Sequence, residues 1–222
     1  MKLFSRELIP DAPDIFFESP LWAEGLCVAG LDEAGRGAWA GPVTAAAVIF
    51  PHDPELLKRL EGVRDSKQVK SPNRERLAAI ICDVATAWGV GSASNTEIDM
   101  LGIISATRLA MVRALERLSP PVDYLLLDAL FLPENSIPQT ALVKGDQRSI
   151  SIAAASILAK THRDAVMIEI ARQHPNYGFE HHKGYGTQAH QKTLALFGKC
   201  NLHRSSFMPI KNLNRVINKN TV

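Results

Sequence analysis

The chain has 222 residues, 46% of them hydrophobic and 22% charged, and a formal net charge of +2 at pH 7. That is enough for one well-cored domain with a small appendage, and it excludes disordered and fibrous classes. No apolar run approaches the roughly 18 residues of a membrane span, the N-terminus lacks the apolar centre of a leader, and Cys27, Cys82 and Cys200 lie too far apart for a disulfide framework or a thiolate zinc site, which points to a reducing, cytoplasmic setting.

In chain order, the residues before about 28 form an arm rich in acids and prolines. The apolar run "LCVAGLD" predicts a strand over 25–32, and "VTAAAVIF" a second over 43–50. Between them lies "EAGRGAWAGP", a glycine-rich turn. A dinucleotide-binding turn would open a helix directly after the strand. Here the glycines lead into β-type sequence, and the acids Asp32 and Glu33 precede them, so strand-turn-strand is the reading. "PHDPE" leads to a short helix and the polar segment "EGVRDSKQVKSPN". An amphipathic helix is predicted over 74–87, a strand over 88–93, and one or two helices over 95–118, ended by Ser119-Pro120-Pro121. "DYLLLDA" is a short continuous apolar run, as in a strand buried on both faces, and "QTALVKG" a weaker strand. A long helix follows from Ser149 to about Gln173, then the loop "HPNYGFEHHKGYG" and C-terminal helices. Interleaved strands and helices predict an α/β fold with a mixed sheet.

Three acids sit where acids are costly. Asp32 and Asp128 each end a predicted strand. Helical spacing places Asp164 on one stripe with Ala153, Ile157 and Ile168, interrupting the face expected to meet the core. Buried carboxylates need a cation, a donor cluster or a metal. Each has a plainer reading: a turn or cap for the strand-end acids, and an ion pair with Lys160, four residues earlier, for Asp164. Their co-occurrence shifts the balance toward an all-oxygen cluster, which suits Mg²⁺ or Mn²⁺ rather than zinc. Two such ions about 4 Å apart are the usual device for in-line attack on a phosphodiester. No acid occurs from His181 to Val222, while seven Lys and Arg do, so 18 of the 25 Lys/Arg face all 23 Asp/Glu in the rest of the chain, net −5. A basic end of this kind suits a polyanion; a solvated tail is the plain alternative.

"LDEAGRG", "DSK", "LLLDA", "KGDQRSISIAAASILAKTHRD", "YGFEHHKGYGTQAH" and "HRSSF", in unbroken order from about Gly30 to Phe207, resemble ribonuclease HII. The resemblance implies an RNase H-like fold: a central mixed β-sheet flanked by helices, plus a helical C-terminal extension. The implied organisation is an N-terminal arm over 1–28, a catalytic domain over 29–180 and a basic helical extension over 181–222. It implies endonucleolytic hydrolysis of RNA paired with DNA, including incision 5′ to a single ribonucleotide in duplex DNA, leaving 3′-hydroxyl and 5′-phosphate ends. The family's four acids carry over as Asp32, Glu33, Asp128 and Asp164, holding two ions of Mg²⁺ or Mn²⁺. Gly35, Arg36 and Gly37, with Tyr185, are the implied readers of the ribonucleotide 2′-hydroxyl, the group that separates RNA from DNA. Lys67, Lys144 and Lys183 are candidates for backbone phosphates. The implied partners are RNA/DNA hybrid and ribonucleotide-containing duplex DNA, not a membrane, with the chain a monomer; the sequence is silent on a replication-clamp contact. Departures from the family pattern are Ala38-Trp39 after the glycine motif, Gln68 after Ser-Lys, Ala129 where glycine is common, and Thr161-His162 before Arg163-Asp164. The N-terminal segment is too short for the extra domain of ribonuclease HIII. A hybrid-binding protein without catalysis and a small-molecule metal phosphatase are the alternatives from other classes. The first has no reason to gather four acids, and the second no use for a basic tail.

Overall fold

β1 (Val28–Ala34) and β2 (Val43–Ile49) are the apolar runs either side of the glycine turn, paired antiparallel with Ala29 opposite Ile49. The computed structural model describes residues 9–208 and 210–212. β3 (Ala87–Ala93) adds antiparallel to β2, while β4 (Tyr124–Asp128) and β5 (Gln139–Leu142) add parallel to β1 and to each other. The sheet among the described residues is therefore mixed, in the order β3-β2-β1-β4-β5.

The two-residue period of each strand divides the core. Ala29, Leu31, Ala45, Ala47, Leu125 and Leu127 face one way, against Ala106, Ala110 and Met111 of α5 (Ile103–Leu115). Val28, Ala46, Val48 and Leu126 face the other, against α6 (Ile150–Gln173) and α3 (Ser71–Val84). Gly30 lies where α6 crosses β1, and a Cβ there would overlap the backbone of Ser151 and Ile152. The alanines of β2 serve the same close approach on both faces.

α6 starts at Ser149, whose hydroxyl accepts from the Ile152 N–H as an N-cap. Every residue from Ile150 to Ala159 is buried, and beyond that the buried positions are Arg163, Met167 and Ala171. This corrects the predicted stripe. The first half of the helix is enclosed on all sides, so periodicity there selects no face. In the second half Ile168 is exposed and Asp164 lies on the flank of the core. The predicted helix over 95–118 is two, α4 (Asn95–Leu101) and α5, parted at Gly102; α4 opens with a Ser94–Glu97 capping box.

Two short helices, α1 (Glu18–Ala23) and α2 (Leu56–Arg59), precede α3, and Leu56 of α2 joins the α6-side cluster. α1 belongs to the core: Trp22 joins the α6-side cluster, and buried Glu18 accepts from the Ser149 hydroxyl at 2.6 Å and from the Ser151 N–H and hydroxyl. α7 (Phe179–His182) and α8 (Gln188–Phe197) follow α6 as a helical C-terminal region. No helix of the described residues is long and apolar enough to cross a membrane. Of the acid-free end, residues 213–222 lie outside those described.

Candidate active site

The parallel register sets Leu31 of β1 beside Leu127 of β4, so the next residues, Asp32 and Asp128, stand side by side where the strands leave the core. Beyond the C-terminal ends of parallel strands lies the usual site of α/β sheets. A third carboxylate arrives from a single 3₁₀ turn, Gly145–Gln147, between β5 and α6. The Gly145 N–H donates to Asp128 Oδ1 at 2.7 Å and so docks that turn on the end of β4. Asp32, Asp128 and Asp146 each bring a carboxylate oxygen within 4.8 Å of the other two.

Burial first, and then the negative charge of Glu33, Asp128 and Asp146, hold the Asp32 carboxyl well above the usual carboxylate range. Burial and the neighbouring Asp128 and Asp65 push Asp146 up to about 7. Burial also raises Asp128 and Glu33, the latter against the opposing pull of Arg36. Arg36 reaches Glu33 Oε1 at 3.1 Å, and Glu33 Oε2 is buried without a hydrogen-bond partner among the described residues. Lys67, its side chain 80% exposed, lies 3.9 Å from Asp65 and 4.0 Å from Asp146. Partial desolvation at the acid cluster lowers its pKa, but the acids around it outweigh that and leave it raised. Lone carboxylates crowded in this way repel one another. An all-oxygen set with one oxygen unpaired fits a hard divalent cation.

The four acids named from the family pattern are not the set that converges. Asp164 is absent from the cluster. Its Oδ2 pairs with Arg74 at 3.0 Å and its Oδ1 with Lys160 at 2.6 Å, so the plain ion-pair reading describes its place. Asp146 is the acid that joins Asp32 and Asp128 in the cluster. It follows Gly145 in "KGDQRS", where it reads as one more loop acid; the local signal was the glycine before it, which gives the turn its close approach to Asp128. Asp65 was also missed. It is buried and accepts from the Lys67 N–H at 3.0 Å, which holds the Asp-Ser-Lys turn beside the cluster.

The remaining predicted residues lie on the glycine loop, on the Asp146 turn and on the turn that carries Tyr185. Gly35 is buried at a φ of +91°, and a Cβ there would run into the Arg163 guanidinium; Arg36 and Gly37 are exposed. Tyr185 is half-buried, with Lys160 Nζ 5.5 Å and Arg163 Cζ 5.4 Å from its ring centre. Lys183 has a left-handed backbone, and its Nζ donates to the Glu180 carbonyl. Lys144, also left-handed at a φ of 55°, opens the turn that carries Asp146. Trp39, a departure from the family pattern, lies over Gly186, which has room for it only because it lacks a side chain, and 5.6 Å from the His190 ring.

The family model for ribonuclease HII matches residues 29–210. The chain is 50% identical to the ribonuclease HII of Chloroflexus aurantiacus over 203 residues, 89% of this chain and 94% of that protein. It is 52% identical to that of a Synechococcus species over 204 residues, 90% of each. Among solved structures, the ribonuclease H2 of Pyrococcus horikoshii superposes with a TM-score of 0.71 at 24% identity, covering 87% of this chain and 99% of that one. The RNase H-like fold, the converged acids and these similarities agree: the chain belongs to the ribonuclease HII family and is a nuclease.

Proposed function

We propose that the protein hydrolyses the RNA strand of RNA/DNA hybrids and incises duplex DNA 5′ to a single embedded ribonucleotide, leaving 3′-hydroxyl and 5′-phosphate ends. The observation that carries this reading is the convergence of Asp32, Asp128 and Asp146 beside Glu33, whose Oε2 is buried and unpartnered among the described residues. In this reading Asp32, Glu33, Asp128 and Asp146 hold divalent cations, and Asp164 is a structural acid. When bound, Mg²⁺ or Mn²⁺, as one ion or a pair, supplies Lewis acidity toward the scissile phosphate and its attacking water.

The chain's own groups do the rest. The N–H groups of Glu33 and Gly145 hold Asp32 and Asp128, each through one carboxylate oxygen. In this reading Lys67, exposed beside Asp146, meets a backbone phosphate of the substrate. Arg36 and the bare backbone of Gly37 offer donors to the sugar, and Tyr185 offers a ring face. Lys144 and Lys183 are read as further phosphate contacts. The test is incision of a DNA duplex holding one ribonucleotide, and of a long hybrid, with Mg²⁺, with Mn²⁺ and with chelator. Metal-dependent incision on the 5′ side of the ribonucleotide is expected. Cutting of the long hybrid alone would shift the reading to a nuclease of altered substrate choice, and no cutting of either would leave a hybrid-binding protein.

A further inference from the structure

The two largest fully buried side chains are arginines, Arg163 of α6 and Arg204 near the C-terminal end, both 0% exposed. Buried guanidiniums are ordinarily matched by carboxylates. Among the described residues neither has an acid within ion-pair range. Asp164 and Asp99 act on them only at longer range. Carbonyl oxygens satisfy both. Arg163 donates to Pro42 at 2.8 Å, Lys183 at 3.0 Å and Ala40 at 3.2 Å. Arg204 donates to Arg36 at 2.9 Å, Gly41 at 3.0 Å and Pro42 at 3.0 Å. Five of the six bonds end on the loop that carries Gly35, Arg36 and Gly37, and the sixth on the turn that carries Tyr185. The two segments are also joined directly, the Trp39 N–H donating to the Gly184 carbonyl at 2.8 Å.

One of these bonds has a directional consequence. In a trans peptide the C=O and the following N–H point opposite ways. Arg204 draws the Arg36 carbonyl inward, so the Gly37 N–H is turned away from the core. Gly37 is exposed, and its N–H has no hydrogen-bond partner among the described residues. The peptides after Ala40 and Lys183 differ, since the Gly41 N–H is taken by Leu202 and that of Gly184 by His182. Arg204 thus presents one open amide donor on a loop backed by two buried positive charges, which favours an anionic backbone close by.

We propose that Arg163 and Arg204 are positioning residues of the ribonucleotide-reading surface, locking the 36–42 loop to the 183–185 turn and aiming the Gly37 N–H at the substrate sugar-phosphate. This rests on the function proposed above, and the experiment separates the two. Arg204→Lys keeps the charge and loses the three-carbonyl fork. Arg204→Met removes the charge at similar volume, and Arg163→Lys serves as an independent variant should either fail to fold. Steady-state kinetics on the single-ribonucleotide duplex and on a long hybrid are read beside thermal melts. For Arg204→Lys, KM on the single-ribonucleotide duplex should rise about tenfold, the worth of one well-placed hydrogen bond, with kcat within about twofold. The long hybrid should suffer less, because each of its ribonucleotides offers an alternative register. For Arg204→Met, the salt dependence of duplex binding in chelator should also become shallower. A parallel fall on both substrates that follows the folded fraction, or an unchanged KM ratio in a folded variant, would overturn the proposal. Wild-type protein that cleaves neither substrate would instead remove the function on which it rests.

Discussion

Asp146 and Asp164 are eighteen residues apart in one segment, and their surroundings are opposite. Burial, and then the acids around it, raise the Asp146 carboxyl to about 7, so its charge is a burden on the metal-free fold. Asp146→Asn should therefore raise the melting temperature of the metal-free protein by a few degrees while lowering metal-dependent cleavage at least a hundredfold. A normal cleavage rate would remove Asp146 from the ligand set. Asp164→Asn leaves Arg74 and Lys160 short of their partner. It should cost about 1–3 kcal/mol in denaturant unfolding with cleavage per folded molecule within severalfold of wild type. A departure from the family pattern reads the same way: Ala129, where glycine is common, has a φ of 53°. The left-handed region costs a residue with a Cβ about 1–2 kcal/mol, part of which glycine's unfolded-state entropy offsets. Ala129→Gly should stabilise by about 0.5–1 kcal/mol, checked by urea unfolding.

At the scale of elements, the turn that carries Tyr185 is tied to α8 and the segment after it by a chain of ring nitrogens. His190 Nδ1 lies 3.0 Å from the Tyr185 carbonyl, His190 Nε2 lies 3.0 Å from His203 Nε2, and the Cys200 N–H donates to His203 Nδ1 at 2.9 Å. One tautomer set satisfies all three: His190 donates from Nδ1 and accepts at Nε2, while His203 donates from Nε2. Protonating both rings would set two N–H donors against each other. Burial is the main cause that lowers both to about 4. The folded state therefore binds these protons less readily than the unfolded chain, so the stability they permit is present at neutral pH and lost between about 6.5 and 4. The loss should reach about 3 kcal/mol per histidine at most, read as the difference in urea unfolding between wild type and His190→Asn across that range, which cancels the opposing effect of the raised carboxylates. An equal pH slope in both proteins would refute it. Glu18 of α1 accepts from Ser149 and Ser151 at the start of α6, so the N-terminal segment braces the helix that follows the Asp146 turn.

For the whole molecule, charge and topology act together. The clustered acids gather at the ends of β1 and β4, and the acid-free basic segment follows His181, away from them in sequence. Hybrid binding in chelator should weaken steeply with salt, the logarithm of affinity falling by about 0.9 per phosphate neutralised on a duplex, and Lys67→Gln should lower that slope by about one contact; a flat response would leave the lysines as solvated surface. Asp32 and Asp128 stood out in the chain itself, because a polar residue closing a continuous apolar run is visible without knowing what lies beside it, whereas Glu33 was named as a ligand only through the family resemblance. The strand-turn-strand reading of the glycine segment was legible for the same reason: β-type sequence after Pro42 has one local interpretation, and β1 and β2 pair as it requires. The place of Asp146 beside Asp32 and Asp128 was not. Helical periodicity singled out Asp164, but the first half of α6 is buried on every side, so no stripe extrapolated from it locates the core beyond Ala159. Asp146 joins the site through the β4–β5 pairing and the Gly145 amide on Asp128, and Arg163 and Arg204 are drawn to one loop from positions 41 residues apart. Sequence pattern determines which residues are buried or turned along each segment, since those are local properties of the backbone and its neighbours; which of them meet is decided by strand register and helix packing, and that convergence exists only in the folded chain.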